Sequence, residues 1–179
     1  MVEDVRFGSA VGVMALHGGI EEETSEVAIE VADATGASLY AVIQPDDLAW
    51  HIPSIEYHGR HSAGLERFLG HVDRVISLHG FGRPHLKRSI LVGGADRPLA
   101  TSVGAILRRH TDVRVVDDLA GIPDGLRGCH PDNPVNRTAL GGVQLELSAS
   151  VRWEPDRTAL VHALTAVVAQ LDPADESSP

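Results

Sequence analysis

Short apolar runs alternate with helix-like segments along this sequence, and that alternation restricts the chain to the α/β class. Residues 11–16 and 38–43 are apolar runs of strand length, and residues 24–35 between them repeat valine and alanine at helical spacing. Strands that alternate with helices favour a largely parallel sheet covered on both faces. We therefore expect an α/β fold in a single domain, with a mixed, mostly parallel sheet and helices on both faces.

The same patterns predict the remaining elements. Helices are expected over residues 24–35, 62–69, 99–110 and 155–171, and strands over residues 11–16, 38–43, 75–78, 88–92, 113–116 and 143–147. Residues 44–60 and 122–137 are rich in turn-forming residues and are expected to be loops. The domain is expected to span residues 1–171, and the polar segment 172–179 to be a disordered tail.

Composition narrows the classes of partner. The net charge of the 179 residues is −10, which argues against a nucleic acid, because phosphates are neutralised by clustered Lys and Arg. No apolar run approaches the roughly 20 residues of a membrane helix, and the start of the chain lacks the basic character of a signal peptide. We expect a cytoplasmic protein without a membrane partner. Cys129 is the single cysteine, so a metal would require histidine and carboxylate ligands.

Two predicted strands each end in a histidine followed by glycine. His17 follows the run 11–16, and His79 follows the strand 75–78. Ligands of such sheets bind beyond the carboxyl ends of the strands, so both histidines, together with Glu21, are placed to bind one cation. Two histidines and one carboxylate leave a fourth position open, as in catalytic zinc sites. Alternatively, His17 is a core or capping histidine, and the three consecutive glutamates supply negative charge to the first turn of a helix.

One stretch of the chain is basic in spite of the negative total. Between residues 81 and 114 there are seven lysines and arginines and only two acidic residues. This segment either receives an anionic small substrate or is an ordinary solvated helix surface.

Five segments resemble one known family in their order and cover nearly the whole chain. They are HGGIEEETSE (17–26), HIPS (51–54), ISLHG (76–80), VGG (92–94) and NPVNRTALGGVQLELSASVR (133–152). Together they resemble the poly-γ-glutamate hydrolases, a group also described as phage-related and YjqB-like, with a zinc-carboxypeptidase-like fold.

The resemblance implies a zinc ion held by His17, Glu21 and His79. The family pattern has one more residue between the histidine and the glutamate, so Glu22 remains an alternative ligand. The resemblance also implies that Glu146 is the general base, which takes a proton from water and later delivers it to the leaving amine. Taken from the residues alone, Glu146 equally fits the polar solvent face of an amphipathic strand.

Substrate contacts are also implied by the resemblance. Asn136 and Arg137 resemble the Asn-Arg pair with which zinc carboxypeptidases bind a substrate carboxylate, although here the pair follows His79 in the chain. Arg83 or Arg88 is expected to help Arg137 hold the anionic end of the substrate. His51 of the HIPS motif is expected either to line the cleft or to support a residue that binds the metal. A surface position in a loop is the alternative for Arg137.

The function expected from the sequence is zinc-dependent hydrolysis of an amide next to a carboxylate. The substrate would be a small or polymeric anion with γ-glutamyl or related N-acyl amino-acid linkages. The alternative is a catalytically inactive metal- or anion-binding module on the same fold. A nucleotide-binding enzyme is not expected, because no Walker-type or Gly-x-Gly-x-x-Gly loop follows a predicted strand.

Overall fold

Buried apolar strands form a seven-stranded sheet in the computed structural model, which describes residues 2–45 and 50–172. The strands are β1 (Val2–Arg6), β2 (Val11–Gly18), β3 (Ser38–Ile43), β4 (Arg74–Phe81), β5 (Ser89–Gly93), β6 (Arg114–Val116) and β7 (Gly142–Ser148). The α-helices are α1 (Thr24–Thr35), α2 (Ala63–His71), α3 (Arg97–His110) and α4 (Asp156–Leu171).

The order of the strands in the sheet is β1-β3-β2-β4-β7-β5-β6. The four strands β3, β2, β4 and β7 are parallel to one another, so their carboxyl ends share one edge. On either side, β1 pairs antiparallel with β3, and β5 pairs antiparallel with β7. The prediction of a mixed, mostly parallel sheet is confirmed.

Helices cover both faces of the sheet, as predicted. Alternate residues of β2 enter two different cores: Val13 and Ala15 pack in the core that α1, α3 and α4 cover, and Met14 and Leu16 pack with Phe68 of α2. Because neighbouring side chains of a strand point to opposite faces, an apolar run is what a strand between two cores requires.

Local signals set the ends of the helices. The predicted bounds of α1 are confirmed, and Gly36 ends this helix with the left-handed φ of 72° that glycine adopts most readily. Ser62 and Asp96 cap α2 and α3, since their side chains accept hydrogen bonds from the backbone N–H groups of Leu65 and Leu99.

Some segments differ from the sequence-based expectation. Strand β1 was not predicted; it carries two acidic residues and lies at the edge of the sheet, where charged side chains are tolerated. The predicted loops contain short 3₁₀ turns, among them Ser54–Glu56 and Pro134–Asn136. Residues 46–49 of the first loop and 173–179 of the predicted disordered tail lie outside the described residues. Within the described ranges, each helix is too short or too polar to cross a bilayer.

Candidate functional site

Two histidines and one glutamate converge at the carboxyl edge of the parallel strands. His17 lies near the end of β2, His79 lies in the neighbouring β4, and Glu21 lies in the turn that leads to α1. His17 Nδ1 is 3.0 Å from Glu21 Oε1 and 3.2 Å from His79 Nδ1, and His79 Nδ1 is 3.6 Å from Glu21 Oε2. The possible ligand atoms of the three residues all lie within 4.8 Å of one another, close enough to hold one metal ion.

The outer nitrogen of each ring has a hydrogen-bond partner. His17 Nε2 is 2.8 Å from the carbonyl oxygen of Ile52, and His79 Nε2 is 3.0 Å from Ser77 Oγ. A carbonyl oxygen only accepts, so His17 Nε2 carries the proton, and the neutral ring has its lone pair on Nδ1, which faces the cluster. Such outer partners orient the histidine ligands of metal sites.

Glu21 is the ionised member of the cluster. Burial of its carboxyl would raise the pKa, but hydrogen bonds with His17 and His79 outweigh burial and lower the pKa below its ordinary value. The backbone N–H of Gly80 donates a further hydrogen bond of 2.8 Å to Glu21 Oε2. Glu22 is exposed, and it is Glu21 that the structure brings to the histidines.

Glycines permit the close approach of the turn and the strand. Gly19 has a φ of 91°, and a Cβ atom there would lie 2.3 Å from the carbonyl oxygen of Gln44. A Cβ atom at Gly80 would lie 2.8 Å from Arg152 Cζ and 3.0 Å from Glu21 Cβ. Gly19 therefore lets the turn pack against the backbone of Gln44, and Gly80 leaves the space in which Glu21 reaches the cluster.

A cavity of about 360 Å³ opens onto the cluster. Glu146 of β7 lines its wall, directly opposite His79 in the register of the paired strands, and is 4% exposed. Burial, with the negative charge of Glu21, raises the pKa of Glu146 well above its ordinary value. A carboxyl with a raised pKa beside a cavity is suited to exchanging a proton with a bound molecule. The other lining residues include His51, Ser54, Ile55, Leu126, Cys129, His130, Asn133 and Gln144.

His51 lies at the rim of this cavity. Its ring is 4.4 Å from that of His17 between centroids, and its Nε2 is 3.7 Å from Glu21 Oε1. The side chain is 56% exposed, so it is accessible to a molecule entering the cavity. The structure thus places His51 at the cavity, and its contact with a substrate stays a prediction.

Asn136, Arg137 and Arg83 are not brought to the cavity wall. The Asn136 side chain accepts from the N–H of Ala95 and donates to the carbonyls of Gly128 and His130, at 2.8 to 2.9 Å. Arg137 donates to the carbonyl of Tyr57 and lies 3.7 Å from Glu66 Oε2.

Arg83 lines a separate groove of about 630 Å³ with Lys87 and Arg88. This groove begins at Phe81 and Ser148, the paired last residues of β4 and β7.

Three buried residues of the site were not singled out from the sequence. Gln144 donates a hydrogen bond of 2.8 Å to Glu146, and Asn133 donates one of 2.8 Å to Gln144. Arg152 is 7% exposed and donates to the carbonyl oxygen of Glu22, which ties the 3₁₀ turn that follows β7 (Ala149–Arg152) to the Glu21 turn. The available signal for Gln144 was its position two residues before Glu146, on the same face of the strand.

The sheet and its cluster define a class of protein. An N-acetylmuramoyl-L-alanine amidase of Nostoc punctiforme shares the fold with a TM-score of 0.50 and 11% identity, over 92% of this chain and 98% of that one. Together with the relatives below, it places the chain among domains with the fold of zinc peptidases and amidases.

Within this class, residues 1–158 match the family model described as poly-gamma-glutamate hydrolase. The chain therefore belongs to the poly-gamma-glutamate hydrolase family and is a hydrolase. The resemblance seen in the sequence motifs is confirmed. A comparison with curated proteins gives no significant match.

Two solved structures are similar over almost the full length of the chain. A bacteriophage poly-gamma-glutamate hydrolase has 22% identity and a TM-score of 0.80, over 96% of this chain and 89% of that one. YndL, in a zinc-free apo form, has 24% identity and a TM-score of 0.79, over 95% and 90% of the two chains. At these identities the likeness supports the fold.

Proposed function

We propose that this chain is a zinc-dependent amide hydrolase that cleaves γ-glutamyl or related N-acyl amino-acid linkages. The observation that carries the proposal is the inward-facing cluster of His17, Glu21 and His79 beside the buried Glu146. Family membership supports the reaction, and residues 1–171 would form the hydrolytic domain.

The donor set of the cluster fits zinc. Two imidazole nitrogens and one carboxylate are a common ligand set of catalytic zinc and leave a position open on the cavity side. His17 Nδ1, Glu21 and His79 Nδ1 would hold the ion, with Ile52 and Ser77 orienting the two rings. When bound, zinc polarises a carbonyl group and lowers the pKa of water.

The chain's own residues would then direct the proton. The Glu146 carboxylate would accept a proton from the attacking water and give it to the nitrogen of the leaving amine, so that the carboxylate is restored after each turnover. Gln144 holds Oε1 of Glu146, and no hydrogen bond within the described residues reaches Oε2. We assign the proton transfer to Oε2.

The positive charge of a groove next to the cavity supports a polymeric, anionic substrate. Poly-γ-glutamate carries one α-carboxylate for each residue, and the groove lined by Arg83 and Lys87 begins where β4 and β7 end, one residue beyond Gly80 of the cavity wall. No ion pair within the described ranges engages Arg83 or Lys87, whereas Arg88 is paired with Asp156 at 2.8 Å. We propose that Arg83 binds a substrate carboxylate outside the catalytic cavity.

The test is turnover of poly-γ-glutamate by zinc-loaded protein, with Glu146→Gln as the variant and Glu30→Gln, an exposed glutamate of α1, as the control. We expect Glu146→Gln to lower kcat by at least about a hundredfold, because a general base contributes that much or more. Its zinc content should equal that of the wild type. Full activity of Glu146→Gln would overturn the assigned role, and loss of zinc in this variant would make Glu146 part of the metal site instead.

A further inference from the structure

A chain of three buried hydrogen bonds ends on Glu146. The N–H of Val135 donates to Asn133 Oδ1 at 3.3 Å, Asn133 Nδ2 donates to Gln144 Oε1 at 2.8 Å, and Gln144 Nε2 donates to Glu146 Oε1 at 2.8 Å. Asn133, Gln144 and Glu146 are each at most 4% exposed. A connected polar network of this kind fixes one arrangement of its side chains.

The donor-to-acceptor direction of these hydrogen bonds follows from the first one, in which the N–H of Val135 donates to Asn133. A backbone N–H only donates, so Oδ1 of Asn133 faces Val135 and its Nδ2 group must face Gln144. Because Asn133 Nδ2 is a donor, the Gln144 atom that faces it must be the acceptor Oε1. The other end of the Gln144 amide, Nε2, then faces Glu146. The backbone of the loop thereby determines which end of Gln144 meets the carboxyl of Glu146.

The segment above Gln144 is shaped to fit this amide. Gly128 has a φ of 62°, and a Cβ atom there would lie 2.5 Å from Gln144 Oε1. Asn136 Nδ2 donates to the carbonyl oxygen of Gly128 at 2.8 Å and holds the backbone in place. Asn136 therefore supports the backbone beside the Asn133–Gln144–Glu146 series of hydrogen bonds, here called the relay. The contact with the substrate that the sequence motif implied stays a prediction.

We propose that Asn133 and Gln144 are positioning residues that hold the Glu146 carboxylate in one orientation, with Oε2 presented to the substrate. The inference rests on the proposed role of Glu146 as general base. Neither amide exchanges a proton itself. Their effect is on the geometry of proton transfer, where a displacement of about 1 Å can cost a hundredfold in rate.

The experiment is a double-mutant cycle on Asn133 and Gln144 with zinc-loaded protein. Gln144→Met keeps the size of the side chain and removes both hydrogen bonds. Asn133→Asp cannot donate to Gln144, so the amide of Gln144 turns and presents oxygen to Glu146. We expect each variant to lower kcat about a hundredfold with unchanged KM and zinc content, and the double variant to lose no more than either single one.

The control is Gln44→Met, which alters another buried glutamine whose side chain makes no hydrogen bond among the described residues. It should leave kcat unchanged. The inference would be overturned if the two reductions in kcat multiplied in the double variant. It would also be overturned if kcat fell together with the zinc content or with a rise in KM, and the two residues would then have a structural role.

A second readout does not depend on turnover. In the zinc-free, ¹⁵N-labelled protein, the resonances of the Gln144 side-chain amide should shift on Asn133→Asp and on Glu146→Ala, because both changes alter its hydrogen bonds. Unchanged resonances would overturn the relay. If the wild type fails to hydrolyse any γ-glutamyl substrate, the proposed function fails, and these spectra alone decide whether the relay exists.

Discussion

His17 Nδ1 and His79 Nδ1 face each other at 3.2 Å, and the outer nitrogen of each ring is held by another group. With His17 Nε2 protonated towards the carbonyl of Ile52, a neutral His17 turns a lone pair towards His79 and the ionised Glu21. Such an arrangement is unfavourable unless a proton or a cation lies among the three groups. The three groups therefore share a proton or a cation, and two imidazoles with one carboxylate are a donor set that fits a metal ion.

The first prediction concerns metal content. His17→Ala and His79→Ala should each remove most of the bound zinc, because two ligands bind the ion far less tightly than three. Elemental analysis of protein purified without an affinity tag measures this, with about one zinc ion expected in the wild type. His110→Ala, which alters a histidine on α3, is the control and should retain the metal. Equal zinc content in all four proteins would contradict the site.

The second prediction concerns the space behind Glu21. Gly80→Ala should weaken zinc binding and lower the free energy of unfolding by about 1 to 3 kcal/mol, as overpacking does. The added methyl group meets Arg152 and Glu21, whereas at Gly82 no atom of residues 2–45 and 50–172 outside its chain neighbours lies within 4 Å of the same group. Gly82→Ala is thus a matched control two residues away. Zinc titration and denaturant unfolding of both variants measure the difference, and equal behaviour would contradict the close packing.

The central fold was predictable because its strands are buried on both faces. The runs that became β2 and β3 cannot be exposed without a large apolar surface, and α1 has a glycine that stops it at the predicted residue. Strand β1 was missed because its pattern of burial is set by pairing with β3 at the sheet edge, and not by its own sequence. Its Glu3 accepts a hydrogen bond from Tyr40, a partner 37 residues away.

The site residues that lie at the carboxyl ends of strands were predictable from the sequence. His17 and His79 are brought together because β2 and β4 are parallel neighbours, which follows from a general property of such sheets. The role of Asn136 did not follow, because its amide is engaged by backbone groups of a loop whose course the sequence does not specify. Gln144 is oriented by a hydrogen bond from Asn133, which lies in the same loop as Asn136. The sequence does not show this contact, so only the folded structure reveals the pair.

The third prediction separates the two interpretations of Asn136. Its side chain makes three hydrogen bonds to backbone groups, so Asn136→Ala should lower the free energy of unfolding by about 2 kcal/mol. Arg137→Ala should cost less than about 1 kcal/mol, since its partner Glu66 is 65% exposed. Urea unfolding measures both. A stable Asn136→Ala protein whose only defect is a higher KM would favour the substrate-binding role that the sequence motif implied.

The last prediction uses an ion pair remote from the cluster. Hydrogen bonding to Arg108 holds the pKa of Asp117 below its ordinary value of 3.8. The pKa of Asp117 is lower in the folded protein than in the unfolded chain. The stabilisation is therefore complete at a pH above the unfolded-state pKa and is lost as the pH falls through the folded-state pKa. The free energy of unfolding of the wild type should therefore exceed that of Asp117→Asn by about 0.5 kcal/mol at pH 7, a modest value because the pair is partly exposed. The two free energies should begin to converge as the pH falls below about 4. Urea unfolding across this range, with Asp112→Asn as the exposed control, measures the effect, and a difference that grows in acid would contradict it.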